Sequence, residues 1–259
     1  MRPDSSIGVF DSGVGGLSVL RALRAELPGE DFVYFSDAGC APYGERDDAF
    51  VVERSRAIAR QLLEQQDIKA LVVACNTATA AAIHLLRAEH PGLAIVGVEP
   101  ALKPAAALTR TGRVAVLATR GTLASAKFRT LHQSLRDRTE FVLQACDGLA
   151  AAIEADQQEQ VRALCRRYTA AVGPFGTGAG QTDTVVLGCT HYPFAADHLR
   201  ESLGPEVQLV ETGVPVARQT RRLLAAAGLL RAPGQGRVQW LTTGAPGALR
   251  TAAARWIAP

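Results

Sequence analysis

Cysteine is sparse in this sequence, and its arrangement excludes the usual cysteine-based scaffolds. The 259 residues include five cysteines, and no two of them are spaced as CxxC. A disulfide framework or a zinc ribbon would need cysteines paired at short, regular spacings. We therefore expect reduced thiols and no structural metal.

Long apolar runs and blocks of like charge are also missing. No stretch is apolar for long enough to cross a bilayer, and the first residues do not form a basic and apolar leader. The 28 basic and 25 acidic residues are dispersed, with basic runs no longer than pairs such as Arg166-Arg167. A nucleic-acid-binding surface usually shows more concentrated basic sequence. These absences predict a cytoplasmic protein with neither a membrane nor a nucleic acid as partner.

Short β-branched or aromatic runs alternate with longer segments of helical periodicity. Buried strands are predicted at IGVF, FVYF, ALVVA, IVGV, VAVLA, FVLQ, TVVLG and VQLV, each followed by a helix-forming stretch. Such alternation predicts a parallel α/β sheet that binds ligands at the carboxyl ends of its strands. The Gly-rich stretch 173–183 precedes a strand, whereas a phosphate-binding loop would follow one, so we interpret it as a connector.

A faint internal repeat divides the chain. IGVFDSGVGG and VAVLATRGT are both strands that run into a turn of small and hydroxyl residues. Cys75 follows the first turn at nearly the same sequence distance as Cys189 follows the second. The repeat predicts two related α/β halves that meet near Pro100.

Cys75 and Cys189 occupy matching positions, each at the end of a Val-rich strand and each followed by polar residues in ACNTATA and GCTHYPF. An unpaired intracellular cysteine is most often a small buried hydrophobe. Polar neighbours would be left unsatisfied in a purely apolar site, however, and they favour a ligand here. Helices are expected to begin just after both cysteines, so that their positive ends would favour thiolates and bind substrate carboxylates. His191 could orient or titrate the second thiol.

Two further segments lie at the same predicted edge. Asp11 directly follows the first strand, where it could bind a substrate ammonium, influence the protonation of a cysteine, or only cap the next helix. Its GVGG lacks the spacing of a dinucleotide-binding loop. Tyr43 and Gly44 could offer a hydroxyl and a bare backbone to a ligand, although an ordinary βα loop would have the same composition.

These motifs, together with GVEPALKPA and LATRGTLAS, resemble the glutamate racemases of bacterial cell-wall synthesis over about residues 7–220. The resemblance implies cofactor-independent racemization of glutamate, in which two cysteines act on opposite faces of the substrate Cα. It implies that Cys75 acts on the D enantiomer and Cys189 on the L enantiomer, with Asp11, His191 and Glu154 assisting. It further implies that substrate is bound by Asp11, Ser12, Tyr43, Gly44, Asn76, Thr77, Thr119, Thr122, Thr190 and His191.

The implied fold has two pseudo-symmetric parallel-sheet α/β domains with the active site in the cleft between them. The first domain would comprise residues 1–98 and 211–259, with a late strand at RVQWLTTG, and the second residues 99–210. We expect a homodimer that needs no cofactor or metal. Because only six residues precede Ile7, we also expect no dependence on a cell-wall precursor. An aspartate or other acidic amino-acid racemase and a non-catalytic amino-acid-binding module remain alternatives.

Overall fold

A computed structural model describes residues 1–257. Within this range the strands are β1 (Ile7–Asp11), β2 (Phe32–Ser36), β3 (Ala70–Val73), β4 (Ala94–Gly97), β5 (Arg113–Ala118), β6 (Glu140–Ala145), β7 (Thr184–Gly188), β8 (Gln208–Val210) and β9 (Val238–Thr242). The α-helices are α1 (Leu17–Glu26), α2 (Asp48–Gln66), α3 (Asn76–Glu89), α4 (Leu102–Leu108), α5 (Arg120–Ala124), α6 (Ala126–Gln133), α7 (Leu149–Glu154), α8 (Gln158–Ala170), α9 (Ala196–Leu203), α10 (Gly213–Ala226) and α11 (Pro246–Ile257).

The chain divides into two compact units. The first contains Met1–Val98 and the segment from Gly213 onward, and the second is Glu99–Thr212. The first unit has a five-stranded sheet in the order β4-β3-β1-β2-β9, and every pair in it is parallel. Helices α2 and α3 pack together, and α1 packs against both α10 and α11.

The second unit has a four-stranded, all-parallel sheet in the order β8-β7-β5-β6. This order repeats β4-β3-β1-β2 of the first unit, strand for strand. The two parallel α/β sheets predicted from the sequence are thereby confirmed, and the faint sequence repeat corresponds to a shared topology. β9, which comes late in the sequence, extends only the first sheet, beside β2.

In each sheet the direction of winding reverses after the second strand. In the first unit the chain moves from β1 to β2 and then returns to β3 on the other side of β1. In the second unit it moves from β5 to β6 and then to β7. A crevice forms at the carboxyl ends of the two strands that flank such a reversal, and ligands of open α/β sheets bind there.

Side chains of the central strands form the cores. β1, β3 and β7 are buried along their whole lengths, as expected of parallel strands covered on both faces. In the second unit, Leu117, Leu187 and Tyr192 belong to one apolar cluster that also includes Cys189. In the first unit, Phe10, Tyr43 and Val73 belong to a cluster that includes Cys75. Both cysteines therefore lie where a packed core meets the carboxyl edge of a sheet.

The expectation that a helix begins just after each cysteine is right for Cys75 and wrong for Cys189. α3 begins at Asn76, directly after Cys75. After Cys189 the chain makes a turn and a short 3-10 segment, Tyr192–Ala195, and α9 begins only at Ala196. Pro193 accounts for part of the difference: in an α-helix that began at Thr190, residue 193 would donate its N–H to the carbonyl oxygen of Cys189, and proline has no N–H.

No helix within residues 1–257 is both long enough and apolar enough to cross a membrane.

Gly188 provides a test of the packing that delivers Cys189. A Cβ at this position would lie 2.8 Å from the Ala118 Cβ and 2.9 Å from the carbonyl oxygen of Leu117. We expect Gly188→Ala to lower the free energy of unfolding by about 1–3 kcal/mol, as overpacking of a tight core does. Urea-induced unfolding measures the change. Gly247→Ala is the control, because a Cβ there meets no atom within 4 Å; equal stability of the two variants would contradict the packing.

Candidate functional site

Asp11 ends β1 at the winding reversal of the first unit, and its side chain is fully buried. The Gly16 N–H, at the start of α1, donates a hydrogen bond of 2.6 Å to its Oδ2. A Cβ on residue 16 would lie 2.6 Å from the Cβ of Asp11, so this approach requires glycine. The carboxylate is thus fixed against the positive end of a helix.

Cys75 lies across the same reversal, after β3, and it is the N-cap residue of α3. Its Sγ accepts a hydrogen bond from the Ala78 N–H at 3.5 Å. The thiol also lies within donating distance of Ser12 Oγ, at 3.8 Å. A hydrogen bond from an N–H at a helix N-terminus stabilises negative charge on a sulfur.

Asn76 and Thr77 form the first turn of α3, and both are buried. Neither the Oδ1 nor the Nδ2 of Asn76 has a hydrogen-bond partner within the described residues. Burial of an amide with neither group satisfied is costly, so such a group indicates a missing polar partner. Beside Cys75 the fold therefore leaves a donor and an acceptor available to a ligand.

Tyr43 and Gly44 belong to a short 3-10 segment between β2 and α2. The Tyr43 ring is buried and makes edge contacts with Phe10 and Phe50. Its hydroxyl donates to Asp37 Oδ2 at 2.5 Å. Burial, and then this hydrogen bond, raise the pKa of Tyr43 far above its usual value, so the phenol stays protonated. Gly44 is half-buried.

Thr119 and Thr122 lie in the corresponding turn of the second unit, after β5. Thr119 is the N-cap of α5, and its Oγ1 accepts from the Thr122 N–H at 3.2 Å. The same Oγ1 donates to Thr122 Oγ1 at 2.9 Å. These bonds fix two hydroxyl groups at the carboxyl end of β5.

Cys189 directly follows β7, across the reversal from Thr119, and it begins a chain of three polar groups. Its Sγ lies 3.7 Å from Nδ1 of His191, and Nε2 of His191 lies 2.7 Å from Oε2 of Glu154. Cys189, Thr190 and His191 are buried, whereas Glu154 at the end of α7 is 22% exposed. A carboxylate therefore orients an imidazole whose other nitrogen faces the thiol.

The two partners of His191 also set its charge. Burial lowers the pKa of His191, but its hydrogen bonds with Cys189 and Glu154 raise it more, so the net pKa lies well above its usual value. The protonated ring donates from both nitrogens, which suits a carboxylate on one side and a thiolate on the other.

Cys146 and Cys165 are buried in the apolar cluster of the second unit. Burial raises the pKa of Cys165 to about 12, and it raises the pKa of Cys146 further. Thiols of this kind stay protonated and unreactive at neutral pH. Within residues 1–257, no three His, Cys, Asp or Glu side chains form a group that could hold a metal ion.

The predicted site residues therefore form two half-sites, one at the winding reversal of each sheet. The first half-site comprises Asp11, Ser12, Tyr43, Gly44, Cys75, Asn76 and Thr77. The second comprises Thr119, Thr122, Glu154, Cys189, Thr190 and His191. Residues 7–220 match the family described as Asp/Glu/Hydantoin racemase, and both half-sites lie inside this range.

The chain belongs to the Asp/Glu/Hydantoin racemase family.

Several similar proteins within this family are glutamate racemases. It is 49% identical to the glutamate racemase of Herpetosiphon aurantiacus, over 94% of each chain. Among solved structures, glutamate racemase isoform RacE1 from Bacillus anthracis is 29% identical with a TM-score of 0.85, over 98% of this chain and 94% of the other. The Escherichia coli glutamate racemase, solved with L-glutamate and the activator UDP-MurNAc-ala, is 32% identical with a TM-score of 0.82, over 99% and 96%.

Sequence reasoning missed the groups that hold the Tyr43 segment in this racemase-family fold. Asp37, Arg54 and Thr243 are not among the predicted site residues. Asp37 is fully buried and accepts hydrogen bonds from Tyr43, Arg54 and Thr243. Its position directly after β2, at the same edge as Asp11, was the available signal.

The charge of His191 can be tested directly. We expect its imidazole to stay protonated at pH 7.5, where a histidine with an ordinary pKa is only about one-tenth protonated. Nitrogen-15 chemical shifts of the ring report its protonation state. Glu154→Gln should lower the pKa of His191, because it removes the carboxylate that stabilises the charged ring. Since the folded pKa lies above the unfolded value of about 6.5, the stabilisation from this group is complete below that pH and is lost as the pH rises through the folded pKa.

The matched control is Glu159→Gln, which neutralises an exposed carboxylate on α8. It should leave the His191 titration unchanged. A neutral His191 at pH 7.5 in the unaltered protein would contradict the proposed imidazolium.

Proposed function

We propose that the protein interconverts L-glutamate and D-glutamate without a cofactor, with Cys75 and Cys189 as two bases on opposite faces of the substrate Cα. Family membership and the 49% identity to a named glutamate racemase support the reaction. The Escherichia coli relative was solved with L-glutamate, which supports a small amino-acid substrate. Each of the two units carries one of the two cysteines.

The observation that carries this proposal is the duplication of one arrangement. Two sheets with the same strand order each place a cysteine after the strand that follows the winding reversal. A single base would need one such site, whereas inversion by two bases needs a sulfur on each side of a planar carbanion. Because the arrangement is repeated, each cysteine is held at the edge of its own sheet.

The proton balance of the reaction is simple. With D-glutamate bound, the thiolate of Cys75 takes the α-proton and becomes a thiol, while the thiol of Cys189 gives its proton to the opposite face and becomes a thiolate. L-Glutamate reacts by the reverse transfers. The helix N–H at Cys75 and the imidazolium at Cys189 would each stabilise the sulfur when it is charged.

The remaining groups would hold the substrate. Asn76 offers an unsatisfied amide beside Cys75, and the α3 N-terminus favours a carboxylate there. The Asp11 carboxylate suits the substrate ammonium, and the Thr122 hydroxyl, which accepts from Thr119 and keeps its own proton, suits the other substrate carboxylate. Fixed donors of this kind stabilise the charge that develops when the α-proton leaves.

We also propose the setting in which this activity is used. The product D-glutamate would enter peptidoglycan, and the enzyme would act in the cytoplasm as a homodimer. All five cysteines are free, as in a reducing compartment. Sedimentation equilibrium tests the dimer, and a single species of monomer mass at micromolar concentration would contradict it.

Loss of either sulfur is expected to abolish most of the inversion. Cys75→Ala and Cys189→Ala should each lower kcat for both enantiomers by about 10²–10⁴-fold, the usual contribution of one acid-base group. Circular dichroism of the reaction mixture measures the rate of each direction.

Cys165→Ala is the control, because it removes a buried thiol of the second unit with no part in the half-sites. It should retain the kcat of the unaltered protein, whatever it costs in stability. An amino-acid-binding module would instead show no racemization at all, and would keep its affinity for glutamate in both cysteine variants.

The second candidate is an aspartate racemase, which the breadth of the matched family leaves open. The relatives named above favour glutamate. A pocket distinguishes one methylene by about 10–200-fold, so we expect kcat/KM for D-glutamate to exceed that for D-aspartate by at least about tenfold. Assays should run with and without UDP-MurNAc-alanine, and we expect activity in both. A higher kcat/KM for D-aspartate than for D-glutamate would favour an aspartate racemase.

A further inference from the structure

The carboxylate of Asp37 gathers four hydrogen bonds from three separate parts of the first unit. Arg54, on α2, donates from Nε to Oδ2 at 2.9 Å and from Nη2 to Oδ1 at 2.8 Å. Thr243, after β9, donates its hydroxyl to Oδ1 at 2.8 Å. The fourth donor is the hydroxyl of Tyr43, at 2.5 Å from Oδ2. A carboxylate with this many donors is fixed in one orientation.

The bond from Tyr43 restricts what that hydroxyl can do for a substrate. A phenol has one proton to donate, and here Asp37 receives it. The hydroxyl can still accept a hydrogen bond, for example from an ammonium group, but it has no proton left for a substrate carboxylate. With its ring buried between Phe10 and Phe50, Tyr43 is thus held as part of the wall of the half-site.

Thr243 extends this support to the beginning of the same loop. Its Oγ1 accepts from the Gly39 N–H at 3.1 Å while it donates to Asp37. A Cβ on residue 39 would lie 2.8 Å from the carbonyl oxygen of Thr243, so this close approach needs glycine. The segment from Asp37 to Tyr43 is therefore anchored at both ends by one buried carboxylate.

This cluster is continuous with the proposed substrate site. The backbone N–H of Asp37 donates to the carbonyl oxygen of Asp11 at 2.9 Å. Asp11 also pairs with Ser36 in the register of β1 and β2. The Tyr43 segment therefore begins on backbone that is hydrogen-bonded to the end of β1.

We infer that Asp37, held by Arg54 and Thr243, is a positioning residue that sets the Tyr43 segment in its substrate-binding arrangement before the substrate arrives. The inference rests on the proposed function, since it concerns how that site binds glutamate. Asp37 acts on the substrate through Tyr43 and does not touch it. Its loss should therefore weaken binding of the ground state and of the transition state together, which raises KM and leaves kcat nearly unchanged.

The test is the steady-state kinetics of Asp37→Asn with D-glutamate and L-glutamate. We expect KM to rise about tenfold or more in both directions, because the amide is uncharged and turns an NH2 toward donors that need an acceptor. kcat should stay within about threefold of the unaltered value. Asp31→Asn is the matched control. Asp31 lies just before β2, at the opposite end of that strand from Asp37, and its carboxylate pairs with Arg231. Its replacement should leave KM unchanged.

A double-mutant cycle with Tyr43→Phe shows whether Asp37 acts through the tyrosine. The double variant should have a KM no higher than that of Asp37→Asn alone, since both changes break the same contact. If the rise in KM of the double variant equals the product of the rises in the two single variants, the inference is overturned, because Asp37 would then act by a route other than Tyr43. An unchanged KM in Asp37→Asn, or an equal rise in Asp31→Asn, would also overturn it.

Two variants of Arg54 test the inference if Asp37→Asn does not fold. Arg54→Gln removes the charge, whereas Arg54→Lys keeps the charge and loses the bidentate contact. KM should increase from the unaltered protein to Arg54→Lys to Arg54→Gln at nearly constant kcat, and equal values in all three would contradict the inference. If the unaltered protein fails to racemize glutamate, the proposed function fails and not the role of Asp37.

Discussion

The constraint on which this structure depends is that parallel strands all end at the same edge of a sheet. Residues far apart in sequence, such as Asp11 and Cys75, are brought to neighbouring strand ends by this rule alone. The reversal of winding between β1 and β3 keeps the connecting helices from covering that edge. The same arrangement between β5 and β7 delivers Thr119 and Cys189. Two copies of one topology thus provide two polar half-sites, each with one thiol.

The two thiols are supported by different means. Cys75 caps α3 and receives a backbone N–H, whereas Cys189 faces His191, which Glu154 orients. After Cys189 a turn and a short 3-10 segment come before α9, so no α-helix begins directly at this sulfur. A side-chain imidazolium takes the place of the missing helix end.

Much of this arrangement could be predicted from sequence, because strand runs and strand-end residues are local signals. All the predicted strands are present, and the matching contexts of Cys75 and Cys189 correspond to matching places in two sheets. The parts that sequence reasoning missed depend on contacts over long distances. Nothing local shows that Thr243 reaches Asp37, since β9 joins the sheet beside β2 only after the second unit has been completed. The helix after Cys189 was predicted to begin too early, although Pro193 lacks the N–H that an α-helix begun at Thr190 would need.

The claim that two bases act on one carbon is tested most directly by the fate of the α-hydrogen in heavy water. Unlabelled D-glutamate is added to the protein in D2O without any cofactor, and both enantiomers are analysed by mass spectrometry before the reaction has gone far. The account predicts that L-glutamate carries one deuterium from its first appearance, because the donating thiol has exchanged with solvent, while the remaining D-glutamate stays unlabelled. L-Glutamate that retains the original hydrogen would show that one group removes and returns the same proton, and would contradict the account.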